Sequence, residues 1–190
     1  MNLFEMFLMT KPYYVKHGMA SAGIAGLVAG IVMIIPMMGM MSMMNLPSDL
    51  FSTVVGMAMG KSQEAAAMTG MMLHFVPSIT IGLIFGGIIS TSRFIITSFK
   101  KGIALGIVAG IVSFVVIFLP MMMTVMPPVM VQLMQMMNPG ASQDMIMGQL
   151  QTMQPMLLVG SLLAHVIYGI VLGTITTIIL KRTSKRFNSS

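Results

Sequence analysis

The chain has 190 residues, of which 56% are apolar and 7% are charged, and its formal net charge is +6. Soluble domains carry about a quarter charged residues, so this composition excludes a water-soluble globule and predicts an integral membrane protein. The absence of Cys excludes disulfides, thiolate metal sites and a cysteine nucleophile. Because the basic residues flank apolar runs and do not cluster with aromatic rings, we expect no nucleic-acid partner.

The first segment, residues 1–16, mixes apolar residues with Glu5, Lys11, Tyr13 and Tyr14. A signal peptide places positive charge before its apolar stretch, whereas Glu5 is the first charge here. The pattern favours an interfacial N-terminal segment with its Tyr rings at the level of the lipid headgroups.

Four stretches without Asp, Glu, Lys or Arg are long enough to cross a bilayer, which takes about 20 residues. They predict transmembrane helices at about 20–44, 66–90, 102–126 and 156–180. Pro36 lies inside the first span and is expected to kink it, as membrane helices tolerate.

The two longer connections predict further short helices. Pro47-Ser48-Asp49 resembles a helix start, followed by an amphipathic stretch of about 12 residues that is too short to span and is expected on the membrane surface. The connection 127–155 is broken at Asn138-Pro139-Gly140 and predicts two short surface helices around that break.

The distribution of charge predicts the orientation. With four spans, nine Lys and Arg residues share one side with Glu5, while Lys61 shares the other with Asp49, Glu64 and Asp144. Nine minus one gives +8, and one minus three gives −2, which together make the net +6. The positive-inside rule therefore predicts a multi-pass protein of the cell membrane with both termini in the cytoplasm and both longer loops outside.

An internal repeat relates the two halves of the chain. The segment Gly26–Val32 matches Gly106–Val112 at an offset of 80, and His74 pairs with His165 at an offset of 91. Two spans per unit give both units the same orientation. The sequence thus predicts an all-α membrane protein with four transmembrane helices, arranged as two tandem hairpin repeats with short amphipathic helices in the outer loops. The predicted repeats are 17–92 and 93–180, followed by a basic tail, 181–190.

Small residues recur at every fourth position on the predicted spans, and such stripes let membrane helices approach closely. The predicted packing residues are Ala22, Gly26, Gly30, Gly102, Gly106, Gly110, Gly82, Gly86, Gly169 and Gly173.

This pattern resembles a family of short, mostly uncharacterised bacterial and archaeal multispanning proteins. Their hallmark is a glycine-rich opening helix, an amphipathic loop with a Pro and an Asp, and a following H-x-x-x-G helix. The corresponding residues in the first half are Gly23, Gly26, Ala29, Val32, Met33, Pro47, Asp49 and His74, with Ser78 where Gly is usual. The second half keeps Gly106, Ala109, His165 and Gly169 but lacks the Asp. The resemblance implies a fold and a membrane location, and it brings no activity with it.

His74 and His165 lie within predicted spans, where a polar side chain is costly unless it has a partner. We favour interhelical hydrogen bonds, for example from His74 to Ser161 or from His165 to Ser78, that fix the packing. A proton relay usually adds buried carboxylates, and none lies in the middle of a predicted span.

Methionine is abundant, with 28 residues, and it clusters at the outer ends of the first and third spans. Thioethers and imidazoles bind Cu(I), so the sequence offers one set of candidate metal ligands: His74, His165, Met37, Met41, Met122 and Met126. The alternative is that Met serves as a flexible apolar filler, and we favour that interpretation.

No catalytic triad, carboxylate pair or nucleotide fingerprint is present, so we expect no enzymatic activity. The leading hypothesis is a structural or accessory protein that packs in the lipid bilayer against itself or a larger membrane complex. The alternative is a Cu(I)-binding or Cu(I)-transport protein.

Overall fold

The computed structural model describes the backbone of residues 3–90 and 94–187 and the side chains of residues 15–90 and 94–183. Within these ranges the chain forms helices and no strands. The helices are α1 (Leu3–Met43), α2 (Leu50–Ala58), α3 (Gln63–Ile89), α4 (Phe99–Ser113), α5 (Leu119–Thr124), α6 (Met126–Met137) and α7 (Gln143–Phe187), with a π-helical segment, Phe114–Phe118, between α4 and α5.

Four helical stretches of the described chain are long and apolar enough to cross a membrane. They are Val15–Met43, Gln63–Ile89, Phe99–Thr124 and Gln143–Thr183. They confirm the all-α fold class and the four predicted transmembrane helices. The tandem arrangement of two repeats stays a prediction.

The N-terminal segment belongs to the same helix as the first span, because α1 runs without interruption from Leu3 to Met43. The side chains before residue 15 lie outside the described set, so the interfacial location of residues 1–16 stays a prediction. At the other end, α7 continues to Phe187 and takes in much of the predicted basic tail.

The connection after the third span differs in part from the prediction. The first expected surface helix is α6, which ends next to the break at Asn138-Pro139-Gly140. The second is not a separate helix, because α7 begins at Gln143 and runs through Pro155 into the fourth span. Membrane helices tolerate such a proline when neighbouring groups satisfy the backbone carbonyl that it leaves unpaired.

The π-helical segment was not expected, and Pro120 gives a physical reason for it. A proline lacks the N–H that would bond four residues back, and its ring collides with that carbonyl. Directly before Pro120, the Leu119 N–H bonds five residues back, to the Phe114 carbonyl. This wider turn displaces the part of the backbone that precedes Pro120, and it includes Phe114 and Phe118.

Internal contacts group the chain into two compact units. Unit 1 comprises Met1–Val32, Pro77–Gly110 and Val166–Ser190, and unit 2 comprises Met33–Val76 and Ile111–His165. Each unit contains part of every span. Nine of the ten Lys and Arg residues belong to unit 1 with Glu5, for a net +8, while unit 2 has one Lys and three acidic residues, for a net −2. Unit 1 is therefore strongly basic, and unit 2 is slightly acidic.

Candidate functional site

In unit 1, α1 packs against α3 through glycines that allow backbone contact. A Cβ added at Gly26 would meet the Ser78 carbonyl oxygen and would lie 3.1 Å from the Gly82 Cα. A Cβ at Gly82 would meet the Ala22 carbonyl oxygen, and one at Gly86 would lie 2.6 Å from the Met19 Cα. Only a hydrogen atom fits at these positions, so the backbones of α1 and α3 are in direct contact there.

The same kind of contact joins α4 to α7 in unit 1. A Cβ added at Gly106 would lie 3.0 Å from the Gly173 Cα, and one at Gly169 would lie 2.8 Å from the Ile107 Cα. Gly102 in turn faces Thr177 and Gly173. The structure thus places seven of the predicted packing glycines in backbone contacts, while Ala22, Gly30 and Gly110 are buried.

Close packing extends into unit 2, which the glycine stripes did not predict. A Cβ added at Gly56 of α2 would lie 2.6 Å from the Ala66 Cα of α3, and one at Gly70 would meet the Ser52 carbonyl oxygen of α2. α2 also contacts α6. The short helix predicted after Asp49 therefore exists, and it packs on α3 and α6.

His165 is a buried packing group on α7, with 8% of its surface exposed. Its Nδ1 lies 2.8 Å from the carbonyl oxygen of Ser161, one turn earlier. Because a carbonyl oxygen only accepts, Nδ1 carries the proton. The ring meets Phe114 edge-on and Phe118 at a tilt, with both pairs of centroids 5.5 Å apart. The hydrogen bond from Nδ1 thus stays within α7, whereas we had expected it to reach another helix.

An aromatic cluster surrounds this histidine because of the π-helical segment. Phe114 and Phe118 begin and end that segment and stack on each other, with centroids 5.5 Å apart. Phe51, which lies on α2, also stacks on Phe118, and the two ring centroids are 6.1 Å apart. The sequence signal for this cluster is Pro120, whose effect on the preceding turn we did not anticipate.

The larger cavity of unit 2 has a volume of about 160 Å³. Six methionines from α1, α5, α6 and α7 line it: Met40, Met41, Met122, Met126, Met130 and Met147. The polar lining residues are Gln151, Gln154 and Ser161, and the rest of the wall is apolar. The cavity therefore offers several soft thioether donors in an apolar setting.

A smaller cavity of unit 2, of about 70 Å³, contains the half-buried His74. Met37, Met38 and Met71 line it together with Asp49, which precedes α2. The side chain of Phe51 lines both cavities.

The structure divides the predicted metal ligands among three places. Met41, Met122 and Met126 line the larger cavity, and Met37 and His74 line the smaller one. His165 lines neither of these two cavities and lies among the phenylalanine rings. Among the described residues, no three His, Asp or Glu side chains converge on a common point.

Tyr168 is a buried polar residue that sequence reasoning missed. Its hydroxyl donates a 2.7 Å hydrogen bond to the carbonyl oxygen of Ser78 and so joins α7 to α3 in unit 1. A lone tyrosine in an apolar run is itself a signal, because its hydroxyl needs a partner when it is buried.

Comparison with known proteins gives no further assignment. No protein-family model, curated protein or solved structure matches the chain.

Proposed function

We propose that this chain is a small, non-enzymatic integral membrane protein of structural or accessory type, which packs in the bilayer with itself or with a larger membrane complex. This proposal is based on the hydrogen bonds that three buried polar side chains make. His165, Tyr168 and Thr177 each hydrogen-bond a backbone carbonyl of the spans. The bonds of His165 and Thr177 lie within α7, whereas that of Tyr168 joins α7 to α3, so these three groups have structural partners.

The glycine contacts support the same role. Backbone-to-backbone packing through Gly82 and Gly106 gives unit 1 little freedom to open. Meanwhile, each span presents a large apolar side chain that is at least 60% exposed: Ile35, Val76, Val116 and Val159. In a bilayer such positions contact either lipid or another protein.

Photo-crosslinking in intact membranes of the source cell tests the proposal. A photoreactive residue is placed singly at Ile35, Val76, Val116 or Val159, with the fully buried Ala29 as control. We expect protein adducts, with a second copy or with one reproducible partner, from one or two of the four positions and from neither the others nor the control. Lipid adducts alone at all four positions would overturn the proposal.

The larger cavity favours a second candidate, a Cu(I)-binding protein. Thioethers are soft ligands that select Cu(I) over hard cations, and six of them from four helices line this one space. Four of the six side chains, those of Met40, Met41, Met122 and Met130, are buried, whereas Met147 is exposed. The donors are of the type that Cu(I) prefers.

Cu(I) loading under reducing conditions, followed by elemental analysis, tests this candidate. The test variant replaces all six lining methionines by Leu, a swap that nearly conserves volume. The matched control replaces six exposed methionines outside the cavity by Leu: Met43, Met59, Met68, Met123, Met136 and Met145. Copper binding predicts stoichiometric retention by the wild type and the control and loss in the test variant. Equal retention by both variants, or none by the wild type, would rule the cavity out as a copper site.

A further inference from the structure

We propose that the start of α4 and the last part of α7, in unit 1, together form a binding site for the phosphate group of anionic lipids. Lys100 and Lys101 lie at the start of α4, and Lys181 and Arg182 lie in the last part of α7. The two helix ends are held together, because a Cβ added at Gly102 would meet the Thr177 hydroxyl and would lie 3.1 Å from the Gly173 carbonyl oxygen.

One contact fixes a cation of α7 above the first residue of α4. The Lys181 Nζ lies 4.6 Å from the centroid of the Phe99 ring, which is a cation–π geometry. Lys181 and Lys100 are nevertheless exposed, so their charges stay accessible to a ligand. The site thus has a positioned cation with further cations beside it.

The described side chains of unit 1 supply no acidic counter-ion to these charges. Among its described side chains there is no Asp or Glu, and Glu5 is the only acidic residue in its sequence. The start of α4 adds the partial positive charge of a helix N-terminus. The cluster is therefore a concentration of positive charge that favours an anionic ligand.

The apolar neighbours of the cluster point to lipid as the source of that anion. Phe94, Ile95 and Phe99 are all exposed next to the basic residues. A free phosphate ion makes no favourable contact with exposed apolar side chains, whereas the boundary between lipid headgroups and acyl chains does. The cluster also lies at the start of one candidate span, Phe99–Thr124, and near the end of another, Gln143–Thr183, and the ends of spans are where lipid headgroups are expected. Basic groups between spans are a known kind of site for anionic headgroups.

Native mass spectrometry of the purified full chain tests the site. The protein is equilibrated with equal amounts of phosphatidylglycerol and phosphatidylcholine, and the ratio of the two retained lipids is measured. We expect phosphatidylglycerol to be enriched on the wild type, and Lys181→Gln to lower that enrichment about fivefold, the size expected for one interfacial charge. The matched single-charge control is Lys61→Gln, in unit 2, which should leave the ratio unchanged.

Three outcomes would overturn the proposal. The first is equal retention of the two lipids by the wild type. The second is an equal effect of Lys181→Gln and Lys61→Gln, with far-UV circular dichroism showing that both variants keep their helices. The third is displacement of the bound lipid by excess inorganic phosphate, which would identify a site for free phosphate.

Discussion

The hydroxyl of Tyr168 donates a 2.7 Å hydrogen bond to the backbone carbonyl of Ser78, which lies 90 positions earlier in the chain. Tyr168 is 2% exposed, so neither water nor a headgroup replaces this partner. The same carbonyl oxygen faces Gly26 of α1. One backbone atom of α3 therefore receives contacts from two other spans.

Removing this hydroxyl should destabilise the protein by a small, measurable amount. We expect Tyr168→Phe to lower the free energy of unfolding by about 0.6–1.5 kcal/mol, the range for one hydrogen bond in a membrane protein or a soluble core. Unfolding by sodium dodecyl sulfate in mixed micelles measures it. Ser42→Ala is the control, because that hydroxyl bonds the Met38 carbonyl of its own exposed helix end. An equal effect of the two substitutions would contradict the bridging role.

Alanine at Gly82 should disrupt the α1–α3 contact. The added Cβ would meet the Ala22 carbonyl oxygen and would lie 3.1 Å from the Gly26 Cα. Both are backbone atoms, which cannot move aside as the end of a flexible side chain can. We expect Gly82→Ala to cost about 1–3 kcal/mol, as overpacking does. The same unfolding assay applies.

Gly87, five residues along α3, is the matched control. A Cβ there would meet one atom, the flexible Met19 Cγ, at 3.9 Å. Gly87→Ala should leave stability unchanged or raise it by up to about 1 kcal/mol through helix propensity. If Gly87→Ala destabilises the protein as much as Gly82→Ala does, the close contact is not what matters at Gly82.

The two histidines should differ in their importance for stability. His165 is buried against Phe114 and Phe118, whereas His74 is half-buried beside a small cavity. We expect His165→Ala to cost about 2–4 kcal/mol, as other truncations of buried side chains do, and His74→Ala less than half as much. Thermal unfolding in one detergent compares them. An equal or larger loss for His74→Ala would show that the packing role has been assigned to the wrong histidine.

Two methionines of the same helix should differ in how much their replacement by Ala destabilises the protein, because one is buried and the other is exposed. Met134 and Met136 both lie on α6, but they are 1% and 48% exposed. Met134→Ala should cost about 2–5 kcal/mol because it opens a cavity. Met136→Ala should stay within about 0.5 kcal/mol, as surface changes usually do. Similar values for both would mean that α6 does not pack as described.

The parts of the fold that depend on composition and spacing could be predicted from the sequence. Long uncharged runs predict the four spans, and glycines four apart predict faces suited to close packing. Which faces meet, such as Gly26 with Gly82, comes from the structure. The parts that depend on tertiary partners could not be predicted. Met134 and Met136 look alike until α6 is placed, and nothing local shows that α7 continues from Gln143 through Pro155. The candidate metal ligands were chosen by residue type, which does not reveal that His165 lies among aromatic rings and does not itself line the methionine-lined cavity.

We propose from the distribution of charge that both termini and the connection between the second and third spans face the cytoplasm and that the two longer loops lie outside. Because the chain has no Cys, single cysteines introduced at Lys61 and Thr97 report on the two sides. Both positions are exposed and lie in connections. The most direct test is labelling of intact cells with a membrane-impermeant maleimide. The account predicts that Lys61→Cys is labelled at once and Thr97→Cys only after permeabilisation, and the reverse pattern would contradict it.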